Sequence, residues 1–284
     1  MKQLFAISGF GLILFVSLFL FAKIEPPKKS TPQITPTTAT SFNIMNYLEQ
    51  AKQKLPPNKL ISLSKLENNI TRGDVKQQSV KSFNQIADFW KDSAKASIPY
   101  AYYTAEAAKL DKSEKSLTFA AQLFLHNMRT ESDETLKSWE AETAIDLFKR
   151  ALQLNPDNDS LKLGLGSCYV YGKGMIGDAA ETMKGIQLLL EVIRKDSVNM
   201  KAQMVLGIGG VISRQYDKAI DRLLKVAKAE PENLEAISWL ADAYAATGDN
   251  SNAISWYQYS KKLVNNAEFS KEVDERIKAL RPNP

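Results

Sequence analysis

A chain of 284 residues, 44% hydrophobic and 24% charged, holds enough apolar material for a substantial core. Its net charge of +5 is unevenly placed: Lys2, Lys23, Lys28 and Lys29 against Glu25 give the first 30 residues +3, which leaves +2 for the other 254. The body of the chain is therefore near neutral and implies no nucleic-acid partner, and a single cysteine, Cys168, excludes an intrachain disulfide and any multi-cysteine metal site.

The run "LFAISGFGLILFVSLFLFA", Leu4 to Ala22, has 19 residues and no charge. As a helix it would extend roughly 28 Å, about the hydrocarbon thickness of a bilayer. A cleaved signal peptide is the rival reading, but the run exceeds a usual signal core and the bulky Leu20 occupies a place where cleavage wants a small residue. No cysteine follows to carry a lipid. Residues 1–24 are accordingly read as a retained single-pass anchor. Lys23, Lys28 and Lys29 outnumber Lys2 plus the α-amine by one charge, which leans the following domain towards the cytoplasm, with an extracytoplasmic placement as the alternative. Residues 25–41, "EPPKKSTPQITPTTATS", are rich in Pro, Thr and Ser and read as an extended tether.

Beyond Phe42 the apolar residues keep helical spacing, strand-like alternation is absent, and Gly and Pro fall between periodic segments. Small residues mark the second helix of successive hairpins at Ala144, Gly185, Ala219 and Ala253, at intervals of 41, 34 and 34. A large residue follows four places later each time: Phe148, Leu189, Leu223 and Tyr257. First helices share a register too, in Leu165-Gly166-x-x-Tyr169, Leu206-Gly207-x-x-Gly210 and Leu240-Ala241-x-x-Tyr244. Gly248 can end one helix in a left-handed conformation and Asp249 can cap the next.

A period of 34 with this residue order, and Pro156 and Pro231 closing two of the copies, resembles the tetratricopeptide repeat (TPR) family. The resemblance implies an all-α fold, a right-handed solenoid of stacked antiparallel hairpins. It divides the chain into a degenerate helical region at 42–112 and an array at 113–267, with copies at 113–158, 159–199, 200–233 and 234–267. An amphipathic capping helix at 268–284 follows. The copy 159–199 carries seven extra residues within "YGKGMIGDAAETM".

Chemistry is scarce. "GKGMIGDA" has the glycine spacing of a phosphate loop, but Asp178 stands where a lysine should meet phosphate, so it reads as a flexible inter-helix loop. His126, the only histidine, has no nucleophile and acid beside it, and Cys168 reads as a packed thiol. The acidic run Glu131, Asp133, Glu134, Glu140 and Glu142 reads as a helix start and its solvated outer face. No enzyme, cofactor or metal site is expected.

Binding remains. In the resembled family first helices line a concave groove for peptides or extended partner segments. Mapped onto this chain, that face carries Leu163, Ser167 and Val170, then Met204, Ile208 and Val211, then Ser238, Asp242 and Ala245, with Trp239 beside it as an anchor or a packed inter-hairpin residue. The face is apolar or acidic where relatives that capture a terminal carboxylate use Lys and Asn, so an apolar or helical partner segment is expected. The sequence thus reads as a membrane-tethered, non-catalytic scaffold for a protein partner. The alternative is a self-associating structural component whose groove receives its own helices or another copy.

Overall fold

The computed structural model describes residues 42–70, 76–264 and 266–281, all within one compact unit, Ser41–Pro284. Among the described residues there are thirteen α-helices, two π-helical turns and no strand. Helices α1 (Ile44–Gln53), α2 (Pro57–Ile70), α3 (Lys76–Asp88) and α4 (Ser97–Asp111) form the N-terminal part. Four hairpins follow: α5 (Glu114–Met128) with α6 (Glu134–Leu154), α7 (Asp159–Cys168) with α8 (Ala179–Lys195), α9 (Met200–Ile212) with α10 (Tyr216–Ala229), and α11 (Leu234–Thr247) with α12 (Asn250–Leu263). Helix α13 (Ala267–Leu280) packs on α12 and ends the stack. The apolar run 4–22 and the tether 25–41 lie outside the described residues, and among those described no helix is long and apolar enough to cross a membrane.

The helices start where short polar side chains can take up the free N–H groups of a first turn. Asn158, Asn199 and Asn233 cap α7, α9 and α11, each side chain accepting from a backbone N–H two or three residues on. Asp133, Asp178 and Asp249 do the same for the second helices α6, α8 and α12. Within each hairpin a tight turn reverses the chain. Gly248, at φ +80°, ends α11 in the left-handed region, and Arg214, at φ +60°, occupies the corresponding place after α9. Arginine has a Cβ there and glycine does not, so the same turn costs the third hairpin about 1 kcal/mol that the fourth is spared.

The hairpins hold together by placing a large second-helix residue on a small first-helix one. A Cβ added to Gly166 would come 2.7 Å from Leu189 Cγ, and one added to Gly207 2.6 Å from Leu223 Cγ. Phe148 lies against Gly164 of the next hairpin. In the fourth hairpin Tyr257 and Ala241 share a cluster with Ala253 and with Val273 and Ile277 of α13. At the α7–α8 crossing backbone meets backbone, since a Cβ on Gly185 would stand 2.8 Å from the carbonyl oxygen of Gly166 and 2.7 Å from Tyr169 Cβ. First helices also touch the first helices of neighbouring hairpins, α5 with α7, α7 with α9 and α9 with α11, so they form a continuous inner layer.

The extra residues of the second hairpin are not a loose loop. Tyr169–Gly174 continues α7 as a π-helical turn with Tyr169, Val170, Tyr171, Gly172 and Gly174 buried. Lys173 fastens this turn to α6 through Glu142 at 2.6 Å. Only Met175–Gly177 reverses the chain before Asp178 caps α8. A π turn takes up residues in excess of the α repeat without breaking the helix axis, and that is why a run expected to be flexible is ordered.

The N-terminal helices have their own core, in which Leu48, Leu63, Ile86, Trp90 and Tyr103 are buried together. Phe42 joins this part to the array, its ring 5.0 Å from that of Trp139 on α6, which in turn meets Phe124 of α5 at 5.4 Å.

Two substitutions test this account. Gly185→Ala must separate two backbones and is expected to lower stability by about 1–3 kcal/mol in urea denaturation. Gly209→Ala, whose new carbon would come no nearer than 3.3 Å to Ile186, should cost far less. Arg214→Gly, by contrast, should raise stability by about 0.5–1 kcal/mol because it relieves the left-handed arginine.

Candidate functional site

The inner layer is hollowed by a cavity. It measures about 370 Å³ and is walled by Gln122 and Leu125 of α5 and Arg129 just after it, by Ser160, Leu163, Gly164 and Ser167 of α7, by Tyr171 of the π turn, by Lys201, Met204 and Val205 of α9, and by Phe148. Each helix contributes positions three or four residues apart, as one face of a helix must. None of α1–α4 contributes to this wall.

Of the residues assigned to a groove from sequence, Leu163, Ser167 and Met204 meet here. Leu163 and Met204 are half-buried and present apolar surface, whereas Ser167 is buried and its hydroxyl donates to the Leu163 carbonyl at 2.8 Å. The others lie elsewhere. Val170 and Ile208 are fully buried in the core, and Val170 packs near Gly185 and Gly209, so neither can touch a partner. Both stand on the side of their helices that meets neighbouring helices. Val211 packs into the cluster between α10 and α11. Trp239 is shared between that cluster and the main core, which makes it an inter-hairpin packing residue with a partly open edge. Ser238 and Ala245 are half-buried on α11, outside the cavity. Asp242 is engaged internally: Arg276 of α13 donates to it at 2.8 Å and the Tyr257 hydroxyl donates to the same carboxylate oxygen. Burial and that carboxylate push the Tyr257 hydroxyl up to about 12. Asp242 thus holds the terminal helix in place.

The residues that sequence reasoning passed over are the polar ones. Arg129, near the end of α5, lies over the Tyr171 ring with its guanidinium carbon 5.0 Å from the centroid, and forms an ion pair with Glu235 at the start of α11. That pair crosses the inner face from the first hairpin to the fourth. Tyr171 is 5% exposed, and the acceptor beside its hydroxyl is the Glu235 carboxylate. Burial, and the Glu235 carboxylate beside it, push its ionisation well up, so it stays a neutral donor. The sequence signal for Arg129 was the same-face series Gln122, Leu125, Arg129 on α5, one hairpin before the mapped face began.

Catalytic groupings do not gather in this cavity. Among the described residues no three His, Cys, Asp or Glu stand together as metal ligands. His126 is exposed on α5, and Cys168 is buried, with burial holding its thiol well above the usual range. Glu140 departs from expectation: it lies not on the outer face of α6 but wholly buried. Burial, then the Glu131 carboxylate, push it up to about 8, against a weaker pull from a hydrogen bond with the Asn127 side chain and then from Lys137. The cause is its place beside Ala141 and Trp139, on the flank of α6 that packs inward.

The fold defines a class: stacked helix hairpins whose first helices form a continuous inner layer. Residues 213–268 match the family model described as a tetratricopeptide repeat, which covers the third hairpin's second helix and the whole of the fourth. A tetratricopeptide repeat protein from Parabacteroides merdae superposes with a TM-score of 0.56 at 14% identity, covering 83% of this chain and 85% of that one. TTC0263, a thermophilic TPR protein of Thermus thermophilus, superposes at 0.50 with 14% identity, over 71% and 98% respectively. The described residues thus carry the fold of a tetratricopeptide-repeat protein, with repeats of that family inside it. In sequence the chain is similar to the cytochrome c-type biogenesis protein CcmH of Haemophilus influenzae, 29% identical over 98 residues; the match takes in 34% of this chain and 20% of that relative's length.

The buried Glu140 supplies a pH test. Its folded pKa lies above the unfolded value, so its protonated form favours folding: the contribution is whole below pH 4.5 and is lost as pH rises towards 8. Glu140→Gln keeps the shape and cannot ionise. It is expected to gain on the order of 3 kcal/mol over the parent at pH 9 and little at pH 4.5, as read by denaturation across pH.

Proposed function

We propose that this protein is a membrane-tethered scaffold that recruits a protein partner into the cavity of its inner helices and carries out no chemistry itself. The observation that carries the reading is the cavity wall: Leu125, Leu163 and Met204 present apolar surface from three successive first helices, while the rest of that layer is packed against its neighbours. A wall built from three hairpins suits an extended or helical segment better than a compact small molecule. The TPR fold, as a class a protein-interaction fold, supports recruitment over catalysis.

The tether rests on sequence alone. The uncharged run 4–22 and the Pro- and Thr-rich stretch after it would hold the array a short distance from a bilayer, and the flanking lysines would set it on the cytoplasmic side. The similarity to a cytochrome c-type biogenesis protein suggests a setting, the assembly of another protein, to which a scaffold of this kind is suited; the match takes in 20% of that relative, and its own activity is not carried over.

Membrane fractionation and protease protection test the tether and its side together. The full chain should stay with membranes after alkaline wash, a chain lacking residues 1–24 should not, and protease added to spheroplasts should leave the array intact. For recruitment, Leu163→Asp and Met204→Asp should each lower capture of the partner recovered with the parent protein at least tenfold, about 1.4 kcal/mol, without loss of helical signal. A concentration-dependent dimer in sedimentation that the same substitutions dissolve would assign the groove to self-association instead.

A further inference from the structure

We infer that the start of α1 is a pH-sensitive cover over α6, closed while the Glu140 carboxyl is protonated and lifting as it ionises. The place of Glu140 carries this: it is wholly buried on the flank of α6 where the N-terminal part meets the array, beside Tyr47 of α1 and next in sequence to Trp139, on which Phe42 rests. A carboxylate taken out of water is strongly disfavoured unless a cation or several donors meet it. Few do so here. The groups that face Glu140 are Tyr47 from α1, the Asn127 amide from α5, Glu131 from the turn before α6, and Lys137 from α6 itself. Glu131 carries the same sign. Tyr47 stays a neutral phenol, because burial and then the Glu131 and Glu140 carboxylates push its ionisation up. Arg129 and Lys173, on adjoining elements, are held by Glu235 and Glu142.

Water reaches the ionised group most readily from the α1 side. Helices α5 and α6 are joined through the main core, in which Ala120, Phe124, Ala141 and Ala144 are fully buried. The start of α1 is held by less. The Phe42 ring lies 5.0 Å from that of Trp139 and 5.7 Å from that of Tyr47, the Asn43 cap is exposed, and Leu48 is the one residue of α1 buried in the N-terminal core. Lifting Phe42 and Tyr47 would admit solvent to Glu140 and bare the aromatic flank of α6 around Trp139, with Leu48 and both cores left in place. Glu140 titrates at the ordinary 4.5 when uncovered and at about 8 when covered, so the open fraction grows about tenfold per pH unit between those values and levels off above the upper one. The cover works independently of what the cavity binds.

Hydrogen–deuterium exchange of the full chain in detergent micelles, corrected for the intrinsic pH dependence of exchange, is the test. Protection of residues 42–53 is expected to fall by about a hundredfold from pH 5.5 to 8.5, and that of α5 and α6 far less. Glu140→Gln should abolish the fall. Glu131→Gln, which removes the like charge, should reduce it and bring its plateau to lower pH. Protection of residues 42–53 that stays flat over this range, or falls equally in Glu140→Gln, would overturn the inference. So would a fall shared by every helix, which reports unfolding of the whole chain. If Glu140→Gln does not fold, Glu131→Gln decides, and a profile identical to the parent's refutes the cover.

Discussion

The close approach of two helix backbones where a small residue lies under a large one is the constraint on which everything else in this molecule depends. At the α7–α8 crossing Gly166 and Gly185 face each other so nearly that neither could carry a Cβ, and Leu189 closes over the gap. Gly207 under Leu223 and Ala241 beside Tyr257 repeat the arrangement with one change of size. Because dispersion contacts fall away steeply with distance, a seam this tight fixes the angle and offset of each hairpin on itself. A fixed hairpin sets the position of the next, and the inner layer of first helices inherits its continuity from that succession.

The same spacing explains how much could be read beforehand. Small and large residues recur at a constant interval, and intervals survive in a sequence even when the contacts they encode do not. The asparagine caps at 158, 199 and 233 keep the same beat, 41 then 34, and were open to view in the same way. Arg214 was not, since nothing in an arginine announces a left-handed backbone; only its position one period before Gly248 does so. Glu140 was misread because a carboxylate in a run of acids that begins at a helix start looks solvated, and its burial depends on how α6 is rotated against its neighbours.

The candidate site was legible in part for a related reason. Leu163 and Met204 stand at positions where helical phase alone places them on the inner face. Val170 and Ile208 fail that rule because inner helices in a stack touch one another as well as the groove, so half of an inner face is core. Tyr171 could not have been foreseen by periodicity at all: it belongs to residues in excess of the repeat, and excess residues have no phase until the π turn gives them one. What departs from the repeat thus supplies Tyr171 to the cavity, while the helices that obey it supply the rest of its wall.

The Arg129–Glu235 pair has a further meaning for the mechanics of the stack. An array joined only through adjacent rungs behaves as a line, and disturbance at one end decays before it reaches the other. Here the first rung and the fourth are also joined directly, across the inside of the curve. A single exposed ion pair is worth only about 0.2–1 kcal/mol, yet it turns an open ladder into a closed circuit. The first and fourth hairpins thus share a contact that does not pass through the two hairpins between them.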